Sequence, residues 1–126
     1  MKTIISTDKA PAAIGPYNQA VEINGMIFTA GQIPLDPETG VLVSSSFADR
    51  VHQIMKNLQA ILNEAGSDLS KVVKTTIFVT DLGHYAELNA IYGEYFNGEN
   101  APARSAVQVA ALPLGTDVEI EMVAHK

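Results

Sequence analysis

FADRVHQIMKNLQAILNEAGSDLSKVVKTTIFVT, residues 47–80, carries the pattern that decides the fold. From Phe47 the apolar residues recur at Val51, Ile54, Met55, Leu58, Ile61, Leu62 and Ala65, which is the spacing of one helical face over about five turns. Ser45 or Ser46 suits the start of that helix, and Gly66 suits the left-handed residue past its end. The pattern then changes. VVKTTIFVT at 72–80 is rich in β-branched residues and bounded by Asp81 and Gly83, so it reads as a strand mostly buried under a helix.

Upstream, KTII at 2–5 and NQAVEI at 18–23 are short and partly alternating, and Asn24-Gly25 separates the second from MIFTA at 26–30. That is a hairpin pattern. Pro11, Gly15 and Pro16 make the intervening segment a loop; Gly31, Pro34, Pro37 and Gly40 do the same after the hairpin, with room for one short strand near Val41 to Val43. Downstream, a second helix is expected from about His84 to Phe96, ending in Asn97-Gly98 ahead of Pro102. Two strands, 103–110 and 117–124, close the chain. The order βββαβαββ predicts an α+β fold, with two helices on one face of a mixed sheet.

At 126 residues and 47% hydrophobic content, the chain suits one domain spanning 1–126. It has no cysteine, which excludes thiolate catalysis, thiolate-bound zinc and disulfides. The first residues, MKTIISTDKAPAAIGPY, hold no apolar run long enough for a signal peptide or membrane span, so a cytoplasmic location away from membranes is expected. Formal net charge is −6, and the eight basic residues are scattered. Nucleic acid is therefore not an expected partner, because phosphate binding rests on clustered Lys and Arg.

Arginine occurs only at Arg50 and Arg104. Arg50, beside Asp49 on the first turns of the long helix, reads as a surface residue. Arg104 stands in a strand among small residues, where a guanidinium has room for a planar anion, held by two parallel hydrogen bonds that lysine cannot supply. A structural ion pair is the alternative. On the last strand Asp117, Glu119 and Glu121 alternate with Val118, Ile120 and Met122, so three carboxylates share one face. Left open to water, that face is simply solvated. Covered by another subunit, it would bring a partly buried glutamate to Arg104, where it could activate water. Tyr17, in GPYNQA, can offer a phenol from a loop. His52, His84 and His125 lack metal-ligand spacing, and no phosphate loop, dinucleotide fingerprint or nucleophile elbow occurs; neither metal nor cofactor is expected.

Four blocks, APAAIGPYNQA at 10–20, TAGQIPLDPETG at 29–40, VVKTTIFVTDL at 72–82 and PARSAVQVAALPLGTDVEIE at 102–121, together resemble the Rid family, also called RidA or YjgF. The resemblance implies a chorismate-mutase-like fold assembled as a homotrimer around a central barrel, with sites in clefts between subunits. It implies hydrolysis of 2-iminopropanoate and 2-iminobutanoate to 2-oxo acids and ammonia, without cofactor. Carried over by motif position, Arg104 would grip the substrate carboxylate and Glu119 would hold the attacking water. The backbone at Ala106 would help place the reacting nitrogen or water, while Tyr17, Ala30 and Asn89 would line the cleft. Where many deaminating relatives read SCVEVARLP, this chain has SAVQVAALP, so Ala106, Gln108 and Ala111 depart from the pattern. Ala30 replaces a serine found in many relatives. A ligand-sensing trimer that binds 2-oxo acids without turnover is the competing reading, and Glu119 separates the two, since a pure anion binder gains nothing from a second negative charge nearby.

Overall fold

The computed structural model describes residues 1–126 and contains two α-helices and one six-stranded mixed sheet. The strands are β1 (Thr3–Ile5), β2 (Ala20–Ile23), β3 (Met26–Thr29), β4 (Val72–Val79), β5 (Ala103–Gln108) and β6 (Val118–His125); the helices are α1 (Phe47–Glu64) and α2 (Tyr85–Tyr92). The expected order of elements is the observed one. In space the strands run β1-β2-β3-β6-β4-β5, and only the β4–β5 pair is parallel, because α2 makes the crossover between those two strands.

Local chemistry explains each boundary. The Ser46 hydroxyl accepts the Asp49 N–H at 3.0 Å and starts α1, while Gly66 takes φ +80° just past the helix. Asn24 and Gly25, both at positive φ, close the β2–β3 hairpin. The second helix is shorter than its apolar pattern predicts. It loosens at Gly93, a weak helix former, and Tyr95 and Phe96 follow in turns bonded back to the Tyr92 carbonyl. No strand forms at Val41 to Val43. Pro34 and Pro37 remove ladder donors from this stretch, and only isolated bridges remain, Leu35 to Leu42 and Gln32 to Ile120.

Strand alternation gives the sheet two unlike faces. Ile27, Ile77, Val118, Ile120, Met122 and Ala124 meet Val51, Ile54, Met55, Leu58, Ile61 and Leu62 of α1 in one core cluster. Leu88, Ile91 and Tyr92 of α2 join the same cluster, so both helices lie on this inner face. Each of the buried Val, Leu, Ile and Met side chains contributes about 1.5–3 kcal/mol by leaving water. The outer face has no helix. Ile4, Ile23, Phe28 and Val107 stand open to solvent there, 39–48% exposed, beside Glu119 and Glu121.

Candidate functional site

Arg104 pairs with Thr75 across the parallel ladder, and Thr75 is fully buried on the inner face. The guanidinium therefore emerges on the helix side, at the sheet edge that α2 covers. There Arg104 Nη2 donates to Asn89 Oδ1 at 2.6 Å and to the Tyr85 hydroxyl at 2.9 Å. The guanidinium carbon also lies 4.8 Å from the Tyr92 ring centre and 5.4 Å from that of Tyr85, within cation–π range. Tyr92 is itself anchored by a 2.8 Å hydrogen bond between its hydroxyl and that of Thr75. Burial raises the Tyr92 phenol pKa above its ordinary value, outweighing the opposing effects of Thr75 and Arg104. The phenol stays neutral. The arginine thus sits in a fixed cradle, without a carboxylate from its own chain among these partners.

Glu119 lies elsewhere. It pairs with Phe78 on the outer face and lines a cleft of about 300 Å³ with Ala12, Ile14, Tyr17, Ala30, Gly31 and Pro113. The loop from Gly31 onward is held along β6 by paired bonds between Gln32 and Ile120, 2.8 and 3.1 Å. Gly31 rests directly on the carboxyl: a Cβ built there would stand 2.1 Å from Glu119 Oε2. Burial first, then the neighbouring Glu121, push the Glu119 pKa above its ordinary value of 4.5. A carboxylate with a raised pKa in a cleft is a proton acceptor closer to neutrality than a solvated one.

The far wall of that cleft depends on Gln19. Only 4% exposed, its side chain accepts the Thr7 N–H at 2.7 Å and donates to the Thr7, Ala10 and Pro11 carbonyls at 3.0, 3.3 and 2.8 Å. Those bonds fix the loop that carries Tyr17, whose hydroxyl accepts the Ile14 N–H at 3.2 Å.

The site residues expected from sequence therefore divide into two groups. Arg104 and Asn89 meet on the helix side; Tyr17, Ala30 and Glu119 gather in the outer cleft. Ala106 packs partly buried beside Ile77, on the inner side of β5. The sheet lies between Arg104 and Glu119, so the two do not meet within one chain. Asp117 departs from the expected row of three carboxylates. It precedes β6 and is gripped by Arg50, whose Nε and Nη2 donate to its two oxygens at 2.9 and 2.8 Å, tying the β5–β6 connection to α1. Gln108 accepts the Leu82 N–H at 2.9 Å and steadies the turn before α2. His52 bonds the Tyr95 hydroxyl and His84 stacks on Phe47. Tyr85, Tyr92, Thr75, Gln19 and Gly31 were not singled out from sequence. The first two were findable, since positions 85, 89 and 92 form one helical stripe.

A sequence model described as endoribonuclease L-PSP matches residues 7–126. The mouse protein named 2-iminobutanoate/2-iminopropanoate deaminase is 49% identical over 124 residues, covering 98% of this chain and 91% of that protein. Among solved structures, RidA from the Antarctic bacterium Psychrobacter superposes with a TM-score of 0.93 at 44% identity, covering 98% of this chain and 99% of that one. E. coli TdcF with bound serine superposes at 0.91 and 41% identity, covering 98% of each. The same chain order, the same two-helix, six-strand architecture and these full-length likenesses place the protein: it belongs to the Rid (RidA/YjgF) family.

Proposed function

We propose that this protein is an imine deaminase that hydrolyses 2-iminopropanoate and 2-iminobutanoate to 2-oxo acids and ammonia, acting as a homotrimer with sites between subunits. One observation carries the reading: an arginine free of carboxylate partners and a glutamate of raised pKa stand on opposite faces of one sheet. A site that uses both must be built from two copies. The exposed apolar residues of the outer face supply a surface for such an assembly. The mouse relative's name and the serine held by TdcF, a small carboxylate ligand, support the substrate class.

The chemistry needs little. Arg104 of one subunit holds the substrate carboxylate, and Glu119 of the neighbour holds a water molecule. The water oxygen adds to the imine carbon while Glu119 takes its proton. Glu119 returns that proton to the nitrogen, giving a neutral carbinolamine; it then relays the carbinolamine's hydroxyl proton to the same nitrogen as the C–N bond breaks, so that ammonia leaves while the carbonyl forms. Imines hydrolyse in water unaided, so positioning and modest acid-base assistance suffice, without metal or redox cofactor. The backbone at Ala106 and the side chains of Tyr17 and Asn89 complete the walls. Although the family description speaks of an endoribonuclease, a net charge of −6 with scattered basic residues offers no cationic track for a phosphate backbone.

The test is a coupled assay in which a threonine dehydratase generates the imine and 2-oxobutanoate formation is followed with and without this protein. A rate no higher than that in buffer, from protein that binds 2-oxobutanoate, would transfer the reading to a non-catalytic sensor. Light scattering should return about three times the chain mass of 13.4 kDa.

A further inference from the structure

We propose that the Tyr85 hydroxyl binds the substrate directly, donating the second hydrogen bond to the carboxylate that Arg104 grips; this rests on the reading of Arg104 as the carboxylate's partner. The argument begins with the protons of the guanidinium. Its five N–H groups present two edges to a carboxylate, the Nε–Nη2 side and the Nη1–Nη2 end, and both edges need Nη2. This chain displays an unobstructed side-on fork at Arg50, where Nε and Nη2 each meet one oxygen of Asp117. Arg104 is arranged otherwise. Its Nη2 has two protons, and the bonds to Asn89 Oδ1 at 2.6 Å and Tyr85 Oη at 2.9 Å engage both. An incoming carboxylate thus finds neither edge complete.

The phenol resolves this shortage. Tyr85 Oη accepts from Arg104, which leaves its own proton to donate, and the side chain is 44% exposed beside the guanidinium. One carboxylate oxygen then takes a proton from the free part of Arg104, and the other takes the Tyr85 proton. The Arg104–Tyr85 bond remains intact. Two features favour this arrangement over displacement of the phenol by the ligand. Asn89 and Tyr85 are presented from the same rigid turn of α2, and the Tyr85 ring already lies 5.4 Å from the guanidinium carbon. The positive charge polarises the hydroxyl through the bond it donates, making the phenol a better donor to an anion.

The experiment measures 2-oxobutanoate affinity by ligand-observed NMR, which reads into the millimolar range, for wild type, Tyr85→Phe, Arg104→Ala, Arg104→Lys and the Tyr85→Phe/Arg104→Lys double variant. Tyr85→Phe removes one oxygen from a half-exposed ring, so folding is retained. Its affinity should fall by roughly 5- to 30-fold, the loss of one charge-assisted hydrogen bond partly offset by release of an Nη2 proton. A similar factor should persist in the lysine background, where no Nη2 exists to be positioned. Unchanged or tighter binding by Tyr85→Phe would overturn the proposal and make the phenol a competitor for Nη2. A loss confined to the arginine background would make Tyr85 a positioning residue acting only through Arg104. Should Arg104→Ala bind as wild type does, the reading of the arginine itself fails, a result distinct from failure at Tyr85.

Discussion

Replacing Gly31 by alanine should cripple turnover while sparing the fold. A Cβ at residue 31 would stand 2.1 Å from Oε2, 2.8 Å from Cδ and 3.1 Å from Cγ of Glu119. Ordinary contact begins near 3.4 Å, so the carboxyl must retreat by more than about 1 Å, and a displacement of that size at a reacting group costs roughly 100-fold in rate. The backbone does not resist the change, because Gly31 lies outside the left-handed region. The obstructed atoms belong to the end of a flexible side chain, which can swing away at small cost in stability. In the dehydratase-coupled assay kcat should therefore drop by about two orders of magnitude, while 2-oxobutanoate affinity and melting temperature change little. A second comparison isolates the cause. In a Glu119→Ala background there is no carboxyl to displace, and adding Gly31→Ala should cost nothing further. Wild-type turnover by Gly31→Ala, or an undiminished loss in the Glu119→Ala background, would refute the reasoning.

Arg104→Ala should lower product-acid affinity and kcat/KM together by roughly 30- to 1000-fold, and Arg104→Lys should recover only part, as competition binding and steady-state kinetics will show. Glu119 must be ionised to accept a proton, and its pKa is raised above 4.5 by burial and then by Glu121. In the substrate complex the carboxylate balances the Arg104 charge, so the kcat–pH profile, corrected for the rate in buffer, should fall on the acid side through a pKa above 4.5. Glu119→Gln should lose both that limb and most of the rate while still binding 2-oxobutanoate. Thr75→Val keeps the side-chain shape but deprives the Tyr92 hydroxyl of its 2.8 Å partner. It should destabilise the protein by about 1–2 kcal/mol, seen as a lower urea midpoint at fixed protein concentration.

The elements were legible where one force decided them. The apolar stripe from Val51 to Ala65 has no rival to the helix, and Asn24-Gly25 admits the positive φ that its hairpin requires. Failures came where two forces compete. Tyr95 and Phe96 belong to the apolar pattern, and Phe96 is buried as that pattern demands, yet Gly93 ends the regular helix before reaching them. Val41 to Val43 form a short apolar, largely β-branched run of the kind strands use, but the prolines before them leave too few donors for a ladder. Alternation placed Asp117 with Glu119 and Glu121. A bidentate contact with Arg50, 67 residues away in the chain, claims it instead, and no local pattern announces a pairing of that range.

The candidate site shows the same division more sharply. Residue type and motif pointed to Arg104 and Glu119 as one device, and each has the chemical character that role needs. What a linear reading lacks is the phase of each strand relative to its neighbours. The register that sets Arg104 beside Thr75 also sets Glu119 beside Phe78, one residue out of phase with the core positions, and in a strand that offset moves a side chain through the sheet. The separation has a physical use. A guanidinium beside Glu119 in the same chain would pull its pKa down and leave a poor base, and the carboxylate would compete with substrate for the arginine. Held on opposite faces, the two are not paired within their own chain: Glu119 keeps the pKa that burial and Glu121 raise, and Arg104 has no carboxylate among its own chain's partners. On the proposed reading, that division gives anion recognition to the α2 face, with Tyr85, Asn89 and Tyr92, and activation of water to the outer cleft, where Gly31 packs against Glu119.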